Sequence, residues 1–121
     1  MNSKILGLQG ERLAEEYLSK QGCRLIARNF RMKSGEIDLI AMDHGCLCFI
    51  EVKTRNGQKH VPQEAVSLAK QRKLTKLAKL FMVQQFQRLD VNSRFDVIAI
   101  DAKEDGSRRI QWLRNAFDAV D

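Results

Sequence analysis

Apolar and polar positions follow two rhythms along this chain, and the changes of rhythm mark its elements. From about Leu8 to Gln21 the stripe Gly10, Leu13, Ala14, Tyr17 and Leu18 repeats at helical spacing, and Gly22 supplies a stop, which predicts a first helix. "CRLIARNF" (23–30) predicts a strand and "RMKSG" (31–35) a basic turn. Two further strands, about 36–42 and 46–53, close on each other across Asp43-His44-Gly45 as a tight hairpin. The polar "TRNGQKH" (54–60) predicts a loop, and Pro62 suits the first turn of a second helix running to about Leu89, roughly 40 Å long. On that helix Leu74, Leu77, Ala78 and Phe81 face the core, while Arg72, Lys76 and Lys79 form a basic row on another side. "RFDVIAID" (94–101) reads as a mostly apolar strand, and "EDGS" (104–107) turns it into a last strand, "RRIQWL" (108–113). The order α-β-β-β-α-β-β predicts an α/β fold in which helices flank a mixed β-sheet. With no internal repeat and no linker, residues 1–121 are expected to form a single domain.

The hairpin breaks its own pattern. Charge sits where a packed strand should carry none: Asp38 within "EIDLIA", and Glu51 with Lys53 within "FIEVK". By strand alternation Glu51 and Lys53 share a face with Leu47 and Phe49, and Glu36 and Asp38 share one with Ile40. Each face is therefore expected to be buried near the turn and to open into a cleft beyond it. A two-residue turn at His44-Gly45 pairs Asp38 with Glu51 and Glu36 with Lys53, with Cβ atoms of opposed residues about 5 Å apart. An odd-length loop without a bulge would send the two acids to opposite faces. Carboxylates that close raise one another's pKa, and a hard divalent cation such as Mg²⁺ removes the conflict. With Lys53 beside the cation, the set suits phosphodiester hydrolysis. The competing reading of the same residues is a salt-bridge ladder on a solvated strand end.

Composition narrows the setting. The chain is 44% hydrophobic and 30% charged, with no apolar run near the roughly 20 residues of a membrane helix. Its N-terminus turns polar too soon for a signal peptide, so a cytoplasmic location with no membrane association is expected. Cys23, Cys46 and Cys48 form no CxxC pair, and His44 and His60 are the remaining soft ligands, so buried reduced thiols are expected rather than zinc. A net charge of +6 favours a polyanionic partner, nucleic acid above all, although lysines that merely keep a protein soluble give the same balance.

"GERLAEEYL", "GEIDLIA", "FIEVKTR", "AVSLAKQRKL" and the closing "RFDVIAID…AF" together resemble the YraN-type family of small bacterial proteins, from about Gly7 to Phe117. That family resembles a branch of the PD-(D/E)xK nuclease superfamily, with a restriction-endonuclease-like fold, and is similar to archaeal Holliday-junction resolvases. The resemblance implies a Mg²⁺- or Mn²⁺-dependent endonuclease with Asp38 and Glu51 as metal ligands, the Val52 carbonyl completing the set, and Lys53 as catalytic lysine. Glu11 resembles an extra acid that the resolvase-like branch holds near the metal; the alternative is an exposed first-turn acid complementing the helix dipole. Ile37 stands where the superfamily has proline, which contributes no ligand.

Glu36 lies on Asp38's strand without an assigned role. Lys70 stands in line with Val66, Leu74 and Leu77, and it or Gln71 is placed to reach a phosphate; the alternative is a snorkelling lysine. Arg31 and Lys33 precede the Asp38 strand, and Arg55 and Lys59 follow Lys53, so both basic segments flank one mouth of the expected cleft. Such contacts position a phosphate backbone without reading bases, which fits structure-selective binding of DNA, at junctions or branches. Dimeric relatives imply a homodimer as an option. Two rival functions are a nucleic-acid-binding module that keeps the fold without turnover, and a protein-interaction domain of a larger nucleic-acid machine.

Overall fold

A computed structural model describes residues 3–56 and 66–120, with the side chains of residues 3–8 and 56 left out. Seven elements run in the order α1 (Ser3–Lys20), β1 (Arg24–Met32), β2 (Gly35–Asp43), β3 (Cys46–Asn56), α2 (Leu68–Phe86), β4 (Ser93–Ala102) and β5 (Arg108–Phe117). The expected α/β order holds, and with it the restriction-endonuclease-like arrangement of a mixed sheet between helices. The sheet has the spatial order β1-β2-β3-β4-β5, antiparallel throughout except for the parallel β3–β4 pair that α2 bridges.

Alternation along the central strands sorts the core into two layers. Leu47, Phe49, Phe95 and Val97 pack under α2 against Leu74, Leu77, Ala78 and Phe81. Cys48, Ile50, Ile98 and Ile100 pack on the other face against Ala14 and Leu18 of α1. Burying each such aliphatic or aromatic side chain stabilises the fold by roughly 1.5–3 kcal/mol, so each helix is fixed by its apolar stripe. All three cysteines are free thiols, but of the three expected to be buried only Cys48 is; Cys23 and Cys46 are half-buried at the border of the α1 layer. Gly10 lets α1 approach the sheet, because a Cβ there would meet Thr54 Cγ2 at 2.0 Å.

The predicted boundaries needed correction in several places. α1 begins at Ser3, earlier than the apolar stripe indicates. The segment read as a loop from residue 54 is still strand as far as Asn56, where Thr54 to Asn56 pair in parallel with Ile100 to Ala102. Parallel pairing to a buried strand overrides the polar character of "TRN". α2 starts at Leu68, not Pro62: the Ser67 hydroxyl caps it by accepting from the Lys70 N–H at 3.2 Å. Its 19 residues span about 28 Å, and Gln87 in the left-handed region ends it. Pro62 itself lies outside the described residues.

Candidate functional site

The hairpin turn sets the register of the site. His44 and Gly45 both take positive φ, +48° and +84°, as a two-residue hairpin loop requires. Asp43 therefore opposes Cys46, and the ladder runs in the expected register through Leu39↔Ile50. There it stops. Residues 35–37 of β2 stay paired with β1, and Glu51 onward in β3 stays paired with β4, so the two strands fork. The Asp38 carboxylate bridges the mouth of the fork, its Oδ2 accepting from the Val52 N–H at 2.8 Å. Asp38 and Glu51 are thus neighbours across an open gap rather than a regular ladder pair.

A second departure reorganises the acids. Ile37 packs under α2 while Leu39 packs under α1, so alternation reverses between them. On β1 the reversal is matched between Arg28 and Phe30, where Asn29 sits in the left-handed region at φ +48°. Asparagine tolerates that conformation better than other side chains with a Cβ. The expectation that Glu36 and Asp38 share a face with Ile40 fails here, because Ile40 belongs to the α2 layer. Glu36 and Asp38 instead meet Glu11 of α1, with one oxygen of each carboxylate within 4.8 Å of the others. Glu36 does not oppose Lys53 either: it bonds to Arg31 and, at 3.1 Å, to Asn29. The Asn29 amide also donates to Glu11 Oε1 at 2.8 Å, tying the first helix to the second strand.

Electrostatics follow from this crowding. Burial, then the negative charge of Glu51, and further the charges of Glu11 and Glu36, push the Asp38 carboxyl up to about 8, against the Val52 N–H, which lowers it. Burial also pushes Glu36 up, but the hydrogen bonds from Arg31 and Asn29 outweigh it and hold that carboxyl below the usual range. On the α2 side of the fork, Glu51 is 6% exposed. Lys70 of α2 bonds its Oε1, and Lys53 Nζ stands 3.5 Å from the same atom. Burial alone would lower the Lys70 ammonium, but Glu51 more than offsets it and raises it.

The structure therefore brings together Glu11, Asp38, Glu51, Val52, Lys53 and Lys70 at the fork. Val52 enters through its N–H, to Asp38. Gln71 lies apart, its side-chain amide donating to the Val66 carbonyl at 3.1 Å. Of the basic residues, Arg31 is exposed and engaged with Glu36, Lys33 is exposed in the β1–β2 turn, and Arg55 is half-buried near the end of β3. These segments share one end of the sheet; Lys59 lies outside the described residues. Asn29, and the partnership of Glu36 with Glu11, were missed from the sequence. The signal available was an asparagine within an otherwise strand-forming run. A cavity of about 600 Å³ between α1 and β1 shares Glu11 and Asn29 with the carboxylates but is not walled by Glu51, Lys53 or Lys70.

Among the described residues no helix is long and apolar enough to cross a membrane. The sequence profile of the family described as "Uncharacterised protein family UPF0102" matches residues 10–100. A UPF0102 protein of Symbiobacterium thermophilum is 47% identical over 118 residues, covering 97% of this chain and 99% of that one. One from Geobacter sulfurreducens is 46% identical over 118 residues, covering 97% and 91%. A third, from Lachnoclostridium phytofermentans, is 42% identical over 120 residues, covering 98% of each.

Proposed function

We propose that this chain, which belongs to the UPF0102 family, is a divalent-metal-dependent endonuclease that hydrolyses phosphodiester bonds in branched DNA. One observation carries the reading: Asp38 is a half-buried carboxyl set between the acids Glu11 and Glu36 on one side and the buried Glu51 on the other, at an open fork in the sheet. An excess of carboxylates in a buried place is unfavourable unless a cation neutralises it.

The donors are all hard oxygens, which fits Mg²⁺ or Mn²⁺ and not a soft metal. Asp38 would hold the ion, with Glu51 or with Glu11 and Glu36. When bound, such an ion supplies Lewis-acid polarisation of a phosphate oxygen and a lowered pKa for a water. The chain's own residues prepare the rest. The Val52 N–H fixes the Asp38 carboxylate at the fork. Glu51 holds the Lys53 ammonium beside it, where a cation can neutralise charge growing on a phosphate. Arg31 and Lys33 on one arm and Arg55 on the other offer phosphate contacts, and among the described residues no base-reading element accompanies them. The branched-DNA preference rests on the resemblance to junction resolvases, as does a homodimer.

One observation favours the rival reading, nucleic-acid binding without turnover: the Glu51 carboxylate already holds two ammonium groups. Incubating the protein with four-way junctions, flaps and linear duplex, with and without Mn²⁺, separates the two. Metal-dependent cleavage that disappears in both Asp38→Asn and Glu51→Gln is the expected result. Salt-sensitive binding with no cleavage by the wild type would establish the rival instead.

A further inference from the structure

We infer that Lys70 is an internal stand-in for the metal: its ammonium occupies the Glu51 carboxylate in the metal-free protein and is displaced when a divalent cation binds. This deepens the reading of the same site and rests on it.

Glu51 is nearly sealed, at 6% exposure, yet it touches two ammonium groups, from Lys53 on its own strand and Lys70 on α2. A single carboxylate needs one. The two lysines are not equivalent. Lys53 is held by the β3–β4 ladder, and its Nζ stands off at 3.5 Å. Lys70 makes the direct hydrogen bond and comes from the first turn of a separate helix capped by Ser67. Its side chain is 39% exposed and therefore has water to retreat into. A cation shared by Asp38 and Glu51 would compete with Lys70 for the Glu51 carboxylate, whose Oε1 already meets both ammonium groups. The exchange raises the charge of the acid-rich site by one: an ammonium leaves as a dication arrives. Lys70 is thus a positioning residue, holding the Glu51 carboxylate until metal replaces it.

The inference gives opposite signs in two measurements on the metal-free protein. Lys70→Met keeps the length of the side chain and removes the charge, so thermal stability should fall because a buried carboxylate loses its direct hydrogen-bond donor and keeps only the more distant Lys53. Mn²⁺ affinity, read by calorimetry, should rise by about tenfold, the worth of one charge-assisted hydrogen bond no longer in competition. Lys70→Arg should stay near wild type in both assays. Lys73→Met, removing an exposed lysine on the same helix, should leave affinity unchanged and so separates direct competition from bulk charge. Equal or weaker Mn²⁺ binding by Lys70→Met, with wild type binding normally, would overturn the exchange alone. No Mn²⁺ binding by either protein would overturn the metal reading as well.

Discussion

Two aspartates on the same sheet, Asp96 fully buried and Asp38 half-buried, are treated in opposite ways. Asp96, on β4, is fully buried and saturated: Arg94 Nε reaches both oxygens at 3.0 and 3.1 Å, Trp112 Nε1 donates at 2.9 Å and the Asn115 N–H at 2.9 Å. Arg94 is in turn anchored to Asp43 at 2.7 Å. Asp38, on β2, accepts from the Val52 N–H, and the acids Glu11, Glu36 and Glu51 crowd it. A carboxylate compensated from within locks elements together; here Asp96 joins β4 to β5. A carboxylate crowded by its own kind leaves a charge deficit for something outside the chain to fill.

The contrast can be broken most forcefully at Asp96. Asp96→Ala strands the donors of Arg94, Trp112 and Asn115, and is expected to lower the unfolding free energy by about 3–5 kcal/mol in urea titrations, with or without Mn²⁺. The isosteric change at the other aspartate should have the reverse sign. Asp38→Asn still accepts from the Val52 N–H but carries no charge, so metal-free protein at pH 8 should gain on the order of 2 kcal/mol while losing Mn²⁺ binding.

The pH profile of the metal-free wild type sharpens the same point. The Asp38 carboxyl titrates near its ordinary 3.8 when unfolded and at about 8 when folded. Between those values the folded state holds a proton that the unfolded state has lost. Stability should therefore fall as pH rises from about 4 to about 8 and level off above, and Asp38→Asn should remove that slope. The smallest effect is expected at Asn29. Asn29→Gly keeps the left-handed backbone but deletes the amide bridging Glu11 and Glu36, for a loss of about 1 kcal/mol that Mn²⁺ should partly restore.

Much of this site was legible because it depends on local rules. His44-Gly45 dictates a two-residue turn, the turn dictates register, and register brings residues 38 and 51 side by side. That helices flank the sheet followed from the element order, and their buried faces from the apolar stripes through Ala14 and Leu18 and through Leu74, Leu77, Ala78 and Phe81. What could not be read depends on neighbours distant in sequence. The reversal at Asp38–Leu39 needs Asn29 on the adjoining strand, and without it Glu36 seems aimed at Lys53 rather than at Glu11. The start of α2 was misplaced because Pro62 looked like a first-turn residue, whereas the Ser67 hydroxyl makes the cap. The Asp96 network hid inside "RFDVIAID", where one acid in an apolar strand, two residues from an arginine, was the available hint.

The fork between β2 and β3 has a mechanical consequence. Each arm is stitched along its length to an outer strand, β2 to β1 and β3 to β4, so the notch has fixed jaws. Narrowing it would mean peeling an arm away from a ladder that folding has already completed. Whatever lodges there meets an aperture of set width, and the entropy of shaping that aperture is spent when the chain folds rather than when a guest arrives.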